Sequence, residues 1–506
     1  MDKTSLTPLQ HAVFYVTLAL TTFMIVLDYS IANIAIPYIA GDLGVSNDQG
    51  TYVITAFAVG NAIGLAMTGW AAKRIGEIRL FCLSIVLFTL LSWMCGLSIS
   101  LTMLIIARFI QGFVSGPIIP LSQSLLLQFG TKESRNRDLA VWSTIIISAP
   151  VIGPILGGYI SEWYHWPWIF YINLPVGVFC AITIWLLVRH LDNPPEKGPV
   201  DLSGMIFLAL GVTCLQILLD KGQQWDWHRS RAICTLGVAT VVSFTYLILI
   251  ELKKEKPFLD LRLFRYPTFS LSILCLMVSY AIYFGVIVVG PLWLQMYMGY
   301  TATWAGVAVS SLGLGPVCLS WITPFLIKKF GHLFAILIGF VLFTIGCFYA
   351  TRFTTDVDIQ TIAFSRFLFG LGFVSYISPL IGLSVLQIPE KSYAQAAGLF
   401  HFIRAMVGGF GTSLFTTLWL RRTIFHHERL ASLLTPFNPS TPSIFNQPSR
   451  ALLNNALDAQ AALLSINDTF FLMGWLYVGL IVLIVGYQIV ISSKAKNKYF
   501  KSQKNT

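Results

Sequence analysis

"FMIVLDYSIANIAIP", residues 23–37, sets one aspartate in the middle of an otherwise unbroken apolar run. At the centre of a membrane span a charge costs on the order of 2.5–3.5 kcal/mol on insertion scales. Whether this run crosses a bilayer is decided by the rest of the chain. Of the 506 residues, 56% are hydrophobic and only 11% charged, and the mean hydropathy is +0.73. A soluble domain carries roughly a quarter charged residues, and a chain this poor in them has too little polar surface to meet water. The sequence therefore reads as an all-α polytopic membrane protein, and Asp28 as a carboxylate kept there for a purpose.

A span needs about 20 mostly apolar residues. Fourteen segments qualify, near 12–36, 51–71, 80–99, 102–126, 139–162, 168–188, 203–220, 231–251, 268–290, 303–326, 333–351, 359–384, 395–419 and 468–491. An even count puts both termini on one side. With that side cytoplasmic, about two-thirds of the 33 Lys and Arg fall in inner segments, as the positive-inside rule requires. The net charge of +11 is then membrane topology and not a nucleic-acid footprint. The first segment is too long for a signal peptide, and no small-residue cleavage site follows it. All eight cysteines fall in apolar segments without a C-x-x-C or Cys/His cluster, so neither a disulfide framework nor a zinc site is expected. His426 and His427 are adjacent, a poor spacing for a shared metal, and no metal site is expected there either.

Two internal echoes suggest a duplicated unit. "AAKRIGEIRLF" (71–81) returns as "LIKKFGHLFAI" (326–336), aligning Gly76 with Gly331 at an offset of 255. "ARFIQGFVSGPIIPL" (107–121) returns as "SRFLFGLGFVSYISPL" (365–380), aligning Arg108 with Arg366 and Gly112 with Gly370 at an offset of 258. The organisation expected is a six-helix bundle over 1–190, two inserted helices with linkers over 191–260, and a second six-helix bundle over 261–506 with a long outer loop at about 421–467. Within that loop "SRALLNNALDAQAALLS" (449–465) has the apolar spacing of an amphipathic helix. Parallel halves are a known build of secondary transporters, with the substrate site near the midplane between them. No P-loop, nucleophile elbow, H-E-x-x-H or paired carboxylates mark an ATP-driven or bond-making site, so an enzyme is not expected. A channel lacks its filter-like repeat here.

Several motifs resemble those of the major facilitator superfamily: "LDYSIANIAIP" in the first span, "LIIARFIQG" in the fourth and "APVIGPILGGYI" in the fifth. The last looks like the antiporter motif of drug:proton exchangers. "WIFYINLPVG" (168–177), "LLDKGQQWDW" (218–227), "PFLDLRLF" (257–264) and "PLWLQMYMGYTATWAG" (291–306) resemble the fourteen-span branch. The last of these, with "HHERL" and "TPFNPS" in the long loop, is similar to EmrB-type multidrug pumps. The resemblance implies proton-driven efflux of amphipathic drugs across a bacterial inner membrane, with the proton gradient as energy source and no cofactor. It also implies a periplasmic adaptor of EmrA type and a TolC-like outer-membrane channel. A dedicated exporter of one endogenous metabolite, such as a siderophore, would use the same fold. One departure is plain: in "GWAAKRIGEIR" (69–79), Lys73 stands where the family's cytoplasmic loop has an aspartate and Glu77 where it usually has an arginine. The gating loop of Gly69, Lys73, Arg74, Gly76 and Glu77 would then latch through other partners.

The charged residues inside spans are the candidate coupling site. Counting at 1.5 Å per residue, Asp28 lies about 14 Å from the outer edge and Arg108 roughly 10 Å, close enough in depth to pair. A carboxylate beside a cation stays ionised more readily, so protonation would release the pair. The resemblance favours Asp28 as the proton site; a carboxylate that only pins neighbouring helices is the plainer alternative. Arg108 could equally tie helices through carbonyls, and Glu162 could be an interfacial anchor or a third coupling residue. In "GPILGG" (153–158), Pro154 removes a backbone donor while Gly153, Gly157 and Gly158 allow close helix approach, as a sliding interface needs. Ordinary small-residue packing is the alternative. Asn61, Gln111, Gln123, His401 and Arg404 are the polar residues that could face a substrate cavity, though His401 also suits a satisfied core histidine.

Overall fold

Thr7 opens the first helix: its hydroxyl accepts from Gln10 N at 3.3 Å, Gln10 Oε1 accepts from Thr7 N at 2.8 Å, and Pro8 follows at the first helical position. From there α1 runs Pro8–Asp42. The computed structural model describes residues 7–129, 142, 149, 152–189, 202–222, 225, 227–254, 259–319, 322–389, 393–434 and 450–504. Among these the chain is helical with no strand. After α1 come α2 (Tyr52–Ile75), α3 (Glu77–Gly96), α4 (Leu101–Ser115, resuming as Ile118–Phe129), α5 (152–163) and α6 (Asn173–Val188). Then follow α7 (Leu202–Lys221), α8 (Arg231–Lys253), α9 (Pro267–Tyr297), α10 (Ala302–Leu319), α11 (His332–Ala350), α12 (Ile359–Val385), α13 (Tyr393–Leu433) and α14 (Arg450–Lys504).

Among the described residues, ten helical stretches are long and apolar enough to cross a bilayer. Four segments counted from sequence are not among them. The stretches 139–162 and 303–326 are described only in part, Ser203–Leu219 is a shorter apolar helix, and 395–419 carries His401 and Arg404.

The duplication is visible in how the helices cross. α2 packs on α4 as α10 packs on α12, and α3 packs on α6 as α11 packs on α14. A Cβ on Gly112 would run into the Phe57 carbonyl, and one on Gly370 into the Leu312 carbonyl, so both crossings need glycine. Ser100 caps α4 by accepting from Met103 N at 3.3 Å; Asp358, 258 residues later, caps α12 by accepting from Thr361 N at 3.3 Å. Gly76 (φ 103°) and Gly331 (φ 85°) each end one helix and start the next in a backbone region that side chains avoid. Two buried apolar clusters result: one in the first half around Phe14, Phe81 and Phe88, and a larger one that crosses into the second half.

α7 and α8 pair with each other, and α7 also lies against both α2 and α13, bridging the halves. Gln216 on α7 donates to Ser413 Oγ on α13 at 2.5 Å. The halves meet elsewhere at the end that carries the turn 43–51, called here the distal end. There Gln295 Nε2 on α9 donates to the Ile34 carbonyl of α1 at 3.2 Å, and a Cβ on Gly409 of α13 would lie 3.3 Å from that of Ala58 on α2.

Candidate functional site

Asp28 and Arg108 meet inside the first half. Arg108 Nη1 donates to Asp28 Oδ2 at 2.5 Å, and both side chains have no solvent exposure. The second carboxylate oxygen, Oδ1, accepts from Asn173 Nδ2 on α6 at 2.8 Å. Asn173 also donates to Ser92 Oγ on α3 at 2.9 Å, and Ser92 donates to the Phe170 carbonyl at 2.9 Å. Arg108 Nη1 further donates to Gln111 Oε1 at 2.8 Å, and its guanidinium lies 4.2 Å from the Phe57 ring centre and 5.3 Å from that of Phe170. One carboxylate thus draws four helices together: α1, α3, α4 and α6.

The arrangement offsets two buried charges against each other, since either alone would carry an uncompensated desolvation cost. It remains unevenly satisfied. Arg108 Nε and Nη2 and Gln111 Nε2 are buried with no acceptor among the described residues. Neutralising Asp28 would remove the anionic partner that this guanidinium has among the described residues.

Consecutive residues on α1 face different ways. Asp28 points into its own bundle, while Tyr29 packs edge-on to Phe284 of α9 at 5.3 Å in the other half. Ser30 and Ile31 meet α5: a Cβ on Gly153 would sit 2.6 Å from Ser30 Oγ, and one on Gly157 2.7 Å from the Ile31 carbonyl. Gly158 turns the other way, toward the Ala302 carbonyl of α10, and Gly306 of α10 packs against the Pro154 carbonyl. The 153–158 segment is therefore clasped between α1 and the other half, and Glu162 closes its end by accepting from Thr303 N at 3.2 Å.

The remaining sequence candidates are dispersed. Gln111 belongs to the ion-pair network, and Asn61 donates to Ser115 Oγ across α2 and α4 at 2.9 Å, so both are spent on contacts within the bundle. Gln123 is half-buried. His401 and Arg404 lie on α13, with Arg404 5.7 Å from the Tyr280 ring centre and His401 Nδ1 buried without a partner among the described residues. In the gating segment Glu77 accepts from Ser124 Oγ at 3.3 Å, and Arg74 is exposed. The surroundings of Gly69 and Lys73 lie outside the described residues. Sequence reasoning missed Asn173 and Ser92; the signal available was a lone amide in the apolar run "WIFYINLPVG".

This geometry, a carboxylate–guanidinium pair inside one of two matched bundles, can be set beside known proteins. A family profile described as Major Facilitator Superfamily matches residues 18–412. The chain belongs to the major facilitator superfamily. Its superfamily relatives include the multidrug export protein EmrB of Haemophilus influenzae, 41% identical over 92% of this chain and 94% of the relative. EmrB of Escherichia coli K12 is 40% identical over 94% of each chain. The fatty acid resistance protein FarB of Neisseria gonorrhoeae is 36% identical over 92% of this chain and 94% of the relative. A solved bacterial homologue of the lysosomal transporter Spinster, in an inward-facing and unoccupied conformation, shares the fold at TM-score 0.66 and 15% identity, over 94% of this chain and 97% of that one. As a member of this superfamily the chain is a multi-pass membrane transporter and not an enzyme.

Proposed function

We propose that this transporter exports amphipathic drugs or toxic compounds across a bacterial inner membrane by alternating access, driven by proton entry. The observation that carries the reading is the buried pair of Arg108 on α4 with Asp28 on α1, the helix that also touches the second half. The names of the EmrB relatives support drug export as its task.

In this reading the chain crosses the bilayer fourteen times with both termini cytoplasmic, and the halves 1–190 and 261–506 rock about the cargo. The distal end then faces the periplasm, and its α5–α10 and α1–α9 contacts form the closed outer gate. When the gate opens, a proton reaches Asp28 and neutralises it. Asn173 still donates to the carboxyl, but Arg108 loses its counter-ion and must seek another acceptor. The strain on α4 relaxes by moving α1, whose other face carries Tyr29, Ser30 and Ile31 against α9 and α5. Glu162 and the 153–158 segment lie on the path of that movement.

An adaptor and an outer-membrane channel would continue the route. α13 reaches beyond the apolar core to Leu433 and the start of α14 lies against it. Arg422 and His426 share Asp468 there, the latter at 2.6 Å, and His427 meets Asp458 at 3.2 Å. This stiff helical pair, with Ile424, Phe425 and Leu433 exposed, is the surface we assign to the adaptor.

The test uses purified protein in liposomes with an imposed pH gradient and an internal pH dye. Drug-triggered proton flux in the wild type, lost in Asp28→Asn, is the expected result. Flux surviving that substitution would reduce Asp28 to a helix pin and make Glu162 the next residue to change.

A further inference from the structure

Among the described residues, the second half repeats the arginine but not its carboxylate. Arg366 stands on α12 where Arg108 stands on α4, at the 258-residue offset that also relates the two helix caps and the two crossing glycines. It is fully buried. Like Arg108 it is framed by two phenylalanines, its guanidinium lying 5.5 Å from the Phe369 ring centre and 5.2 Å from that of Phe470. On the α9 side it faces Gly290, where a Cβ would come within 2.9 Å of Nη2. No acceptor among the described residues meets its Nε, Nη1 or Nη2. A guanidinium is charged at any physiological pH and has five N–H donors to satisfy.

We infer that Arg366 receives the carboxylate of an amphipathic monocarboxylate cargo. The first half supplies the precedent: the matching frame of an arginine and two aromatic rings closes on the carboxylate of Asp28. The planar fork of arginine fits a carboxylate in two parallel hydrogen bonds, and the rings suit the tail behind it. At Gly290 the α9 backbone comes up against the fork with no side chain between them. Pro291 follows directly and lacks the N–H that would hold α9 straight at that level. Bending of α9 at this step opens the way to Arg366, and α9 is also the helix that α1 touches through Tyr29. The inference rests on the export reading above and names one class of its cargo.

Binding of radiolabelled laurate to the purified full chain, with tetraphenylphosphonium as a cationic control, tests the assignment. Arg366→Gln should weaken laurate by about tenfold or more, the factor one charge-assisted hydrogen bond corresponds to, and leave the cation within about twofold. Arg366→Lys, which keeps the charge, should retain part of the laurate affinity. Gly290→Ala, whose methyl would press on Nη2 and displace the fork, should lower it. Should Arg366→Gln not fold, the lysine and alanine variants carry the test. Laurate affinity unchanged in these variants overturns the inference, as does equal loss of laurate and cation. Displacement of laurate by chloride at equimolar concentration in an Arg366-dependent manner reassigns the site to an inorganic anion and also overturns it. A wild type that binds laurate through Arg366 yet moves neither compound in liposomes overturns the export reading and leaves the site standing.

Discussion

Asn173 shows how much the ion pair depends on a neutral neighbour. It is the second donor to Asp28 and the link from that carboxylate to Ser92. Replacing Asn173 with alanine leaves Oδ1 buried without its hydrogen bond, a cost of about 1–3 kcal/mol. The expected result is a lower melting temperature in detergent together with weaker drug-triggered proton flux in liposomes. A fall in stability with the flux unchanged would make Asn173 a packing residue only. Arg108→Gln is the harsher change: it strands a buried carboxylate, at about 3–5 kcal/mol. Much of that loss should return in the Asp28→Asn, Arg108→Gln double variant, read as recovered thermal stability.

At the scale of single helices, α5 decides how tightly the distal end closes. Gly158 lies against the Ala302 carbonyl, and Gly306 against the Pro154 carbonyl, so the helices touch backbone to backbone. Gly158→Val forces them apart, with overpacking of about 1–3 kcal/mol set against the closed arrangement. Because the opposite arrangement does not need this contact, the population should shift toward distal opening. A cysteine placed at Thr303 in a background without the eight native cysteines reports the shift. Its reaction with an impermeant maleimide should quicken in the Gly158→Val variant; an unchanged rate would remove α5–α10 from the gate. The "GPILGG" segment announced close packing in the sequence, but not that Gly153 and Gly157 serve one partner and Gly158 another. That depends on the angular position of α5 between α1 and α10, which only assembly fixes.

For the molecule as a whole, the repeat organises the membrane part and the long loop adds what the repeat lacks. Asp468 accepts from Arg422 and pairs with His426, and these side chains are 38%, 40% and 13% exposed. Ion pairs so open to water contribute about 0–1 kcal/mol each. Asp468→Asn should therefore leave global stability within about 1 kcal/mol while loosening the helical pair locally. Limited trypsin digestion should cleave faster at Arg421, Arg422 and Arg429, with drug flux in liposomes unaltered. Loss of flux in liposomes would mean that the pair serves transport itself and not an adaptor.

The sequence alone determined the solvent class, the helical build, the duplication and the identity of the costly charges. Each follows from local chemistry: apolar runs of span length, two stretches echoed at nearly one offset, and a carboxylate and an arginine where lipid tolerates neither. Depth counting even put Asp28 and Arg108 at one level, because a helix converts residue number into height. Rotation about the helix axis is different, since it depends on every neighbour packed around it. Hence only the tertiary structure turned Asp28 into its own bundle and Tyr29 out of it. It also drew Gln111 and Asn61 into contacts within the bundle, and brought Asn173 to Asp28 from 145 residues away. It alone placed Gly290 against Arg366, giving the second half an arginine that meets no acceptor among the described residues.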